Sequence, residues 1–472
     1  MSDGVVMAVP DPDSELPVGW AWAKLGELGV WYGGGTPSKR RPEFWKNGSI
    51  PWLSPKDMGA ETLMSTQDLI HPSALEDSPV KLVPANSVAF VVRSGILERT
   101  VPVAYVPFET TLNQDMKAIS PHDGIDARWL AWSLRAREQY ILRNCRKRGT
   151  TVASLETAWL METELAVPPP AEQLRIVDQM EAQVLHIQTG ELAARAASSN
   201  IPALKNAIRG SLTWPGEALP DDWRWGTIGD VLQDIEAGKS FTCLPRPARS
   251  DEWGIIKVSA MTWGEFRETE NKAVPREREF NFAHEIQPGD ILVSRANTED
   301  YVGAPVLVES CRPFLLLSDK SLRLKPNEGV ERRWLLHVLS SPQVRAQISS
   351  KATGTSDSMR NISQTSLKSV RIPVPTSAEQ RRVVALVDSQ LEAVSAFERS
   401  LPDVVHEAAS LRSSLLTAAS AGELVPQDPS EESASVTINR IRAQQATTAP
   451  IRKRRTARTR KTTPPNQGEL PL

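Results

Sequence analysis

The sequence lacks the residue patterns of membrane, secreted and metal-binding proteins. Its 472 residues contain only three cysteines. Cys145, Cys243 and Cys311 are isolated from one another, so neither a disulfide framework nor a CxxC zinc site is predicted. No apolar run approaches the ~18 residues of a membrane span, and the chain shows no basic-then-apolar leader. We therefore expect a soluble, cytoplasmic protein without membrane partners.

Catalytic motifs are also missing. Gly238-Lys239-Ser240 ends like a phosphate-binding loop, but Gln233 stands where that motif requires its first glycine. Asp115 and Lys117 resemble a nuclease carboxylate and lysine, but the nearest upstream Pro-Asp pairs lie in an aperiodic segment. The six histidines show no metal-ligand spacing, and no GxSxG motif exists. We predict no catalytic residue, no metal site and no cofactor in this chain.

A strong excess of charge is absent too, because the formal net charge is −2. This total does not by itself indicate a nucleic-acid-binding protein. It does not exclude one either, since a local basic face suffices to bind phosphates and acidic regions elsewhere can cancel it.

The chain does contain an internal duplication. Residues of the first half recur about 205 positions later, and an interval of this length indicates a duplicated domain rather than a solenoid. The markers are Leu16-Pro17 and Trp20 with Leu219-Pro220 and Trp223, Arg128-Trp129-Leu130 with Arg333-Trp334-Leu335, and Ala171-Glu172-Gln173 with Ala378-Glu379-Gln380. Two copies predict a pseudo-twofold protein that reads two half-sites on one long target.

Composition and periodicity divide the chain into six segments. They are a disordered lead (1–14), a first repeat domain (15–166), a first long helix (167–213), a second repeat domain (214–371), a second long helix (372–425) and a basic disordered tail (426–472). Short apolar runs bounded by turn residues predict strands inside each repeat domain, as at Ile50 to Leu53 and Ile291 to Val293.

The two long helices carry a heptad pattern. In the second helix the a positions are Val387, Val394, Leu401, Ala408 and Leu415, and the d positions are Gln390, Phe397, Val404, Leu411 and Ala418. The first helix matches with Met180, Ile187, Ala194, Ile201 and Ile208. This pattern favours an antiparallel coiled coil. The alternative is that each helix packs on its own domain. Pro202 and Pro402 are expected to kink or interrupt the helices.

Basic and hydroxylated residues recur at equivalent points of the two copies and are candidates for DNA contact. In the first copy they are Thr36, Ser38, Lys39, Arg40, Arg93, Arg146, Lys147, Arg148 and Thr150, and in the second copy Lys239, Ser240, Arg295, Lys351, Thr355 and Arg360. Each one taken alone could be an ordinary solvated charge. The arginines and lysines after Ile451 could touch phosphates non-specifically or simply keep the tail soluble.

Together these motifs resemble the specificity subunit of type I restriction–modification systems, along about residues 15–430. The resemblance is carried by Leu16-Pro-x-Gly-Trp20 and Leu219-Pro-x-x-Trp223, by Gly34-Gly-Thr-Pro-Ser38, and by Gln287-Pro-Gly-Asp-Ile-Leu-Val-Ser294. Its most specific carriers are the repeat ends Val167-Pro-Pro-Pro-Ala-Glu-Gln173 and Ile372-Pro-Val-Pro-Thr-Ser-Ala-Glu-Gln380. Gly422-Glu-Leu-Val-Pro-Gln427 is similar to the end of the family's closing helix.

The resemblance implies an α+β fold with two target-recognition domains, each a twisted, mostly antiparallel sheet with short helices. Two long antiparallel coiled-coil helices would separate them. Each domain would read one half of a bipartite, asymmetric target in double-stranded DNA. The helices would dock two methyltransferase subunits, and candidate docking residues are Glu172, Gln173, Arg175, Glu379, Gln380 and Arg382. S-adenosylmethionine, ATP and Mg²⁺ would be used by the methyltransferase and motor-nuclease subunits, not by this chain.

The sequence departs from the family pattern at two places. The first long helix ends at Thr213-Trp214-Pro215 instead of a Gly-x-Leu-Val-Pro sequence, and the second copy lacks the Gly-Gly-Thr-Pro-Ser loop. Three other functions stay open from the residues alone. They are a stand-alone DNA-binding regulator, a nuclease fused to a recognition domain, and a coiled-coil scaffold with degenerate reading domains.

Overall fold

The computed structural model describes residues 14–147, 152–262, 264–354 and 359–448. The chain divides into two units. Unit 1 comprises residues 1–190 and 406–472, and unit 2 comprises residues 191–405. The division falls inside both long helices, so each unit contains one repeat domain, the start of one long helix and the end of the other.

Unit 1 contains nine strands and four short helices before its long helix, within the described residues. The strands are β1 (Ala21–Lys24), β2 (Gly29–Gly33), β3 (Ile50–Leu53), β4 (Asp68–Ile70), β5 (Ser87–Val91), β6 (Val103–Val106), β7 (Thr111–Leu112), β8 (Met116–Pro121) and β9 (Glu164–Val167). The helices are α1 (Ser73–Asp77), α2 (Ala127–Ala136), α3 (Glu138–Asn144) and α4 (Thr157–Met161), followed by the long α5 (Pro170–Thr213).

Unit 2 repeats this course. Its strands are β10 (Trp223–Thr227), β11 (Leu232–Ala237), β12 (Gly254–Ile256), β13 (Asn271–Ala273), β14 (Ile291–Ser294), β15 (Ala296–Asn297), β16 (Pro305–Leu307), β17 (Leu315–Leu316), β18 (Ser321–Pro326), β19 (Arg360–Asn361) and β20 (Arg371–Pro375). Its helices are α6 (Arg332–Ser340), α7 (Pro342–Lys351), α8 (Gln364–Lys368) and the long α9 (Ser377–Ala421), after which α10 (Ala434–Thr448) follows in unit 1.

The sheets of the two units have matching strand orders, so the duplication includes the sheet topology. Unit 1 has a four-stranded antiparallel sheet in the order β2-β8-β5-β6, and unit 2 has the matching order β11-β18-β14-β16. A three-stranded sheet, β4-β3-β7 or β13-β12-β17, contains one parallel pair in each unit. A two-stranded antiparallel ribbon, β1-β9 or β10-β20, joins the start of each repeat to its end. The predicted α+β class with two repeated, mainly antiparallel domains and two long helices is confirmed.

Local sequence explains where the elements begin and end. The predicted strand from Ile50 to Leu53 is β3, and the predicted strand from Ile291 to Val293 is β14 with one more residue. The helical pattern after Asp126 is broken in two at Arg137, whose backbone leaves the helical region between α2 and α3. Asp126 caps α2 by accepting hydrogen bonds from the backbone N–H groups of Arg128 and Trp129.

A buried glutamine at the start of each long helix attaches the helix to its domain. The Oε1 atom of Gln173 accepts a hydrogen bond from the backbone N–H of Asp126 at 2.8 Å, and its Nε2 donates to the carbonyl oxygen of Pro168 at 3.0 Å. Gln380 repeats both bonds, with the N–H of Glu331 at 2.8 Å and the carbonyl oxygen of Pro375 at 3.1 Å. Both glutamines are buried, so unpaired backbone groups would remain if either were removed.

Glu172 and Glu379, the residues before these glutamines, attach the start of each repeat to its long helix. Trp20 donates its indole N–H to the buried carboxylate of Glu172 at 3.1 Å. In unit 2 the side chain of Trp223 bonds to Glu379. Burial raises the pKa of Glu172, although hydrogen bonds from Gln427 and Trp20 oppose this shift. The two most specific motifs of each repeat are therefore in direct contact with each other.

The long helices bury one stripe of side chains instead of a full a/d seam. The predicted a positions Met180, Ile187, Ala194 and Ile201 are buried. The predicted d positions Phe397, Val404 and Leu411 are between 41% and 51% exposed, so the prediction of a two-position seam is wrong there. Met180 and Val387 pack on their own repeat domains, whereas Ile208 and Leu415 pack on the other one. Within unit 2, α5 contacts α9 through Ala194, Ile201 and Leu401, with Lys205 paired to Glu398 at 2.6 Å.

The expected interruption of the long helices does not occur, because α5 continues through Pro202 and α9 through Pro402. Proline leaves the carbonyl group four residues earlier without its helical donor. Those carbonyls belong to Ser198 and Glu398, which are exposed residues, so water can replace the missing hydrogen bond.

The predicted disordered tail is wrong for its first part. Helix α10 spans Ala434–Thr448 and buries Ala434, Ile438 and Ile441, which lie on one face at helical spacing. The N–H of Ala434 donates to the carbonyl oxygen of Gly19 at 2.9 Å, and Arg442 pairs with Glu27 at 2.9 Å. The sequence analysis missed this short apolar stripe because polar residues surround it. The predicted lead and the basic cluster after Ile451 lie outside the described residues, except for Ser14.

We expect Gln173→Ala and Gln380→Ala each to lower the free energy of unfolding of their unit by about 2 kcal/mol or more, because buried backbone groups lose their partners. Urea unfolding measures this. Gln139→Ala is the matched control, because Gln139 is an exposed residue of α3 and its loss should change the free energy by less than about 0.5 kcal/mol. Equal values for all three variants would contradict the structural role of the buried glutamines.

Candidate nucleic-acid interface

Three segments converge at the same place in each unit. The first is the glycine loop, residues 33–38 after β2 in unit 1 and 238–240 after β11 in unit 2. The second is the post-strand turn, residues 113–115 between β7 and β8 and residues 317–320 between β17 and β18. The third is one arginine that follows the central strand, Arg93 after β5 and Arg295 after β14. We call this convergence the loop junction of each unit.

A glycine allows the first two segments to touch. A Cβ atom on Gly34 would lie 1.7 Å from the carbonyl oxygen of Asn113, and one on Gly238 would lie 2.1 Å from the carbonyl oxygen of Leu317. Neither position has room for a side chain. The second copy therefore keeps the essential close approach, although it lacks the Gly-Gly-Thr-Pro-Ser sequence.

The hydroxyl groups of the glycine loops are held by the post-strand turns. Thr36 donates a hydrogen bond to Oε1 of Gln114, and Ser240 donates to Oδ1 of Asp319. Gln114, Asp319 and Ser240 are exposed. The predicted residues Thr36 and Ser240 thus occupy matching positions in the two units.

The arginines are attached to the same turns through their backbones. The N–H of Arg93 donates to the carbonyl oxygen of Asp115 at 3.3 Å, and the N–H of Arg295 donates to that of Lys320 at 2.8 Å. The guanidinium of Arg93 also pairs with the Asp115 carboxylate at 2.5 Å. Lys320 replaces this carboxylate in unit 2 and places a second cation beside Arg295. The two loop junctions therefore share a backbone and differ in charge.

In unit 1 the loop junction borders a groove of about 860 Å³. Its walls include Arg93, Gln114, Asp115, Lys147 and Ser154. Lys147 pairs with Glu156 at 2.9 Å, and the neighbouring Arg146 pairs with Glu98 at 2.9 Å. The structure thus brings Arg93 and Lys147 of the predicted set together. Arg148 and Thr150 lie outside the described residues.

Other predicted contacts lie on the surface near these loops. Ser38, Lys39, Arg40 and Lys239 are exposed, and the hydroxyl of Ser38 accepts the N–H of Arg40 at 3.3 Å. Lys351 is exposed at the end of α7. Thr355 lies outside the described residues.

Arg360 has a structural role, and its contact with DNA stays a prediction. Its guanidinium donates to the carbonyl oxygens of Ser349 and Ala352 at 3.2 and 2.9 Å, where α7 ends. Cationic side chains stabilise the last carbonyls of a helix in this way. The guanidinium of Arg360 is therefore directed toward the end of α7.

The prediction that six residues of the repeat ends dock a partner is wrong for the members that are buried. Glu172, Gln173 and Gln380 are buried inside their own units, so a partner cannot reach them. Arg175 pairs with Glu431 and also donates to the carbonyl oxygen of Pro426. Glu379 is largely covered and binds Arg382, whose hydrogen bonds lower the pKa of Glu379. Of the six, only the Arg382 side chain is widely exposed.

Gln114 and Asp319 were missed by the sequence analysis. Each lies two residues before the next strand, β8 or β18, but their side chains differ, so identity between the copies does not mark them. Only their contacts with the glycine loops bring them into the site.

The described residues contain no group of three or more histidine, cysteine, aspartate or glutamate side chains that could hold a metal ion. Among the helices of the described part of the chain, none is long and apolar enough to cross a membrane.

Comparison with known proteins agrees with this architecture. Residues 17–193 match the family model of the type I restriction modification DNA specificity domain. The chain is 48% identical over 160 residues to the EcoR124I/EcoR124II specificity subunit of Escherichia coli, which is 34% of this chain and 40% of that protein. It is 21% identical over 453 residues to the EcoKI specificity subunit of Escherichia coli strain K12, covering 92% of this chain and 97% of that protein.

The EcoEI specificity subunit of Escherichia coli is 30% identical over 203 residues, covering 40% of this chain and 34% of that protein. The chain thus matches well under two thirds of the length of the EcoR124I and EcoEI subunits. Among solved structures, the HsdS subunit from Thermoanaerobacter tengcongensis has a TM-score of 0.61 at 21% identity, covering 87% of this chain and 99% of that one. This likeness shows the shared fold.

The resemblance found in the sequence is confirmed. Residues 17–193 match the type I restriction modification DNA specificity domain, and the chain is similar to the specificity subunits of type I restriction enzymes.

We expect Gly34→Ala and Gly238→Ala each to lower the free energy of unfolding by about 1–3 kcal/mol, because the new Cβ atom must push two backbone segments apart. Gly59→Ala is the control in unit 1, where a Cβ meets no atom within 4 Å. Urea unfolding of the three variants checks this. A free-energy change as small as that of Gly59→Ala would mean that the loops do not approach so closely.

Proposed function

We propose that this chain is the sequence-recognition subunit of a type I restriction–modification complex, and that each repeat reads one half of a bipartite, asymmetric target in double-stranded DNA. The observation that carries the proposal is the loop junction, which is built twice on one backbone plan with different side chains. Matched scaffolds with different contact groups suit two half-sites of different sequence.

The chemistry of the loop junctions supports DNA as the ligand. Lys39, Arg40 and Lys239 offer cations for phosphate oxygens, which position a protein on the duplex. Arg93 and Arg295 can approach base edges in the major groove, where arginine is best suited to guanine. The Asp115 carboxylate holds Arg93 in one orientation, whereas Lys320 leaves Arg295 in a more positive environment.

The comparisons favour this role over a stand-alone DNA-binding regulator, since the relatives are named as specificity subunits of restriction enzymes. The nuclease alternative would need an acidic metal site, and the described residues contain no such cluster. The cytoplasmic location remains a prediction.

We further propose that the long helices dock two methyltransferase subunits, and that motor-nuclease subunits join them. S-adenosylmethionine, ATP and Mg²⁺ belong to those partners in this proposal. The features that support docking are large apolar side chains exposed on the helices. Leu185 and Leu192 of α5 and Phe397 and Leu411 of α9 are each at least 50% exposed. Exposed apolar side chains of this size can anchor a protein partner. They replace the buried residues predicted from the repeat motif.

Co-expression with the neighbouring methyltransferase subunit, in a host that lacks adenine methylation, tests the recognition role. Genome-wide mapping of methylated adenines should reveal a split motif of two short halves with a fixed spacer. The motif should vanish when this chain is omitted. A folded, stable complex that produces no new methylation would contradict the proposal.

We expect Phe397→Ser to weaken assembly with the methyltransferase subunit at least about tenfold, because an exposed aromatic anchor is lost from the interface. Gln390→Ser on the same helix is the matched control, since Gln390 is exposed and polar. Titration of each purified variant with the methyltransferase subunit measures the Kd, and circular dichroism checks the thermal melting. Equal Kd values for the two variants would exclude this face as the docking surface.

A further inference from the structure

Gln114 and Asp319 are equivalent residues with different chemistry. Each lies two residues before the strand that follows its post-strand turn, β8 or β18, and each accepts a hydrogen bond from the hydroxyl group of the glycine loop, from Thr36 or from Ser240. Each is exposed. A side chain that is oriented by a neighbour and still open to solvent is prepared for contact with a ligand.

The hydrogen bond leaves defined groups free on each side chain. Gln114 uses one lone pair of Oε1 for Thr36, which leaves the second lone pair and both N–H donors of its amide. Asp319 uses Oδ1 for Ser240, and Oδ2 stays available as an acceptor. Gln114 can therefore donate and accept at once, whereas the carboxylate of Asp319 can only accept.

This difference matches the major-groove edges of different bases. Adenine presents the N7 acceptor beside the N6 amino donor, which an amide can contact with two hydrogen bonds. Cytosine presents its N4 amino donor, which suits a carboxylate. A carboxylate is repelled by the two acceptors of guanine and by phosphate, so Asp319 would act through selection and not through general affinity.

The surroundings also favour base contact over a purely structural role. Gln114 lines the groove of unit 1 together with Arg93 and Lys147. Asp319 precedes Lys320, whose carbonyl oxygen binds the backbone of Arg295. In both units the residue thus lies between the hydroxyl of the glycine loop and the arginine that follows the central strand.

We propose that Gln114 and Asp319 are specificity-determining residues, each oriented by the hydroxyl of its glycine loop. Gln114 selects an adenine in the half-site of unit 1. Asp319 selects a base with an amino donor and no adjacent acceptor, cytosine, in the half-site of unit 2. This inference rests on the proposed recognition of DNA, because it assigns one base position in each half-site to one side chain.

The test exchanges the two chemistries within the full chain bound to its methyltransferase subunit. Gln114→Glu and Asp319→Asn are each co-expressed in a host without adenine methylation, and the methylated motif is mapped. Gln114→Glu should shift one position of the unit 1 half-site away from adenine, with a loss of about 10- to 100-fold in the methylation rate of the original site. Asp319→Asn should shift one position of the other half-site away from cytosine by a similar factor.

Two controls and two positioning variants accompany the exchange. Gln139→Glu on α3 and Asp234→Asn on β11 make the same chemical changes at exposed positions outside the loop junctions and should leave the motif unchanged. Thr36→Val and Ser240→Ala remove only the orienting hydroxyl. They should lower selectivity at the same base positions without creating a new preferred base.

The outcomes separate the inference from the function on which it rests. If the unaltered chain directs a split motif and both exchanged variants keep that motif with the same selectivity, the assignment of Gln114 and Asp319 is wrong and the recognition role stands. If the unaltered chain directs no methylation, the recognition role fails and the assignment fails with it. A change confined to one position of one half-site for each variant supports the assignment.

Discussion

The hydrogen bonds of two buried glutamines are the constraint on which the arrangement of each unit depends. Gln173 and Gln380 bind backbone groups just before the long helix and at the N-cap of α2 or α6. The adjacent Glu172 and Glu379 bind the tryptophans that open each repeat. These contacts join the first strand, the sheet and the helix of a repeat at one point. They explain why the Ala-Glu-Gln and Leu-Pro-x-x-Trp motifs occur together in both copies.

The loop junctions depend on a different constraint, the close approach of two backbone segments at Gly34 and Gly238. Because the backbone is the same in both units, side chains can change without moving the loops. Thr36 with Gln114 and Ser240 with Asp319 keep the hydrogen bond and change the group offered to a ligand. Arg93 and Arg295 likewise keep their backbone contacts, while Asp115 and Lys320 give them opposite neighbours. A duplicated domain can evolve two specificities in this way.

The heptad pattern predicted only part of the burial in the long helices. The a positions are buried as expected, because any helix packed on a domain needs one apolar stripe. The d positions Phe397, Val404 and Leu411 are exposed, which periodicity cannot distinguish from pairing with another helix. The same ambiguity hid α10, since its apolar residues stand in a polar segment that looks disordered when its partner surface is unknown.

Sequence alone determined the duplication, the α+β class, the two long helices and the resemblance to specificity subunits, because these follow from repeated motifs and local periodicity. It also placed Thr36, Arg93, Ser240 and Arg295 among the candidate contacts. Only the tertiary structure decided which residues meet. It showed that Glu172 and Gln173 are buried, that Arg360 caps α7, and that Gln114 and Asp319 face the glycine loops. The physical reason is that several of these contacts join segments far apart in the sequence, 78 residues for Thr36 with Gln114 and 79 residues for Ser240 with Asp319. Direction and burial there are set by packing and not by neighbouring sequence.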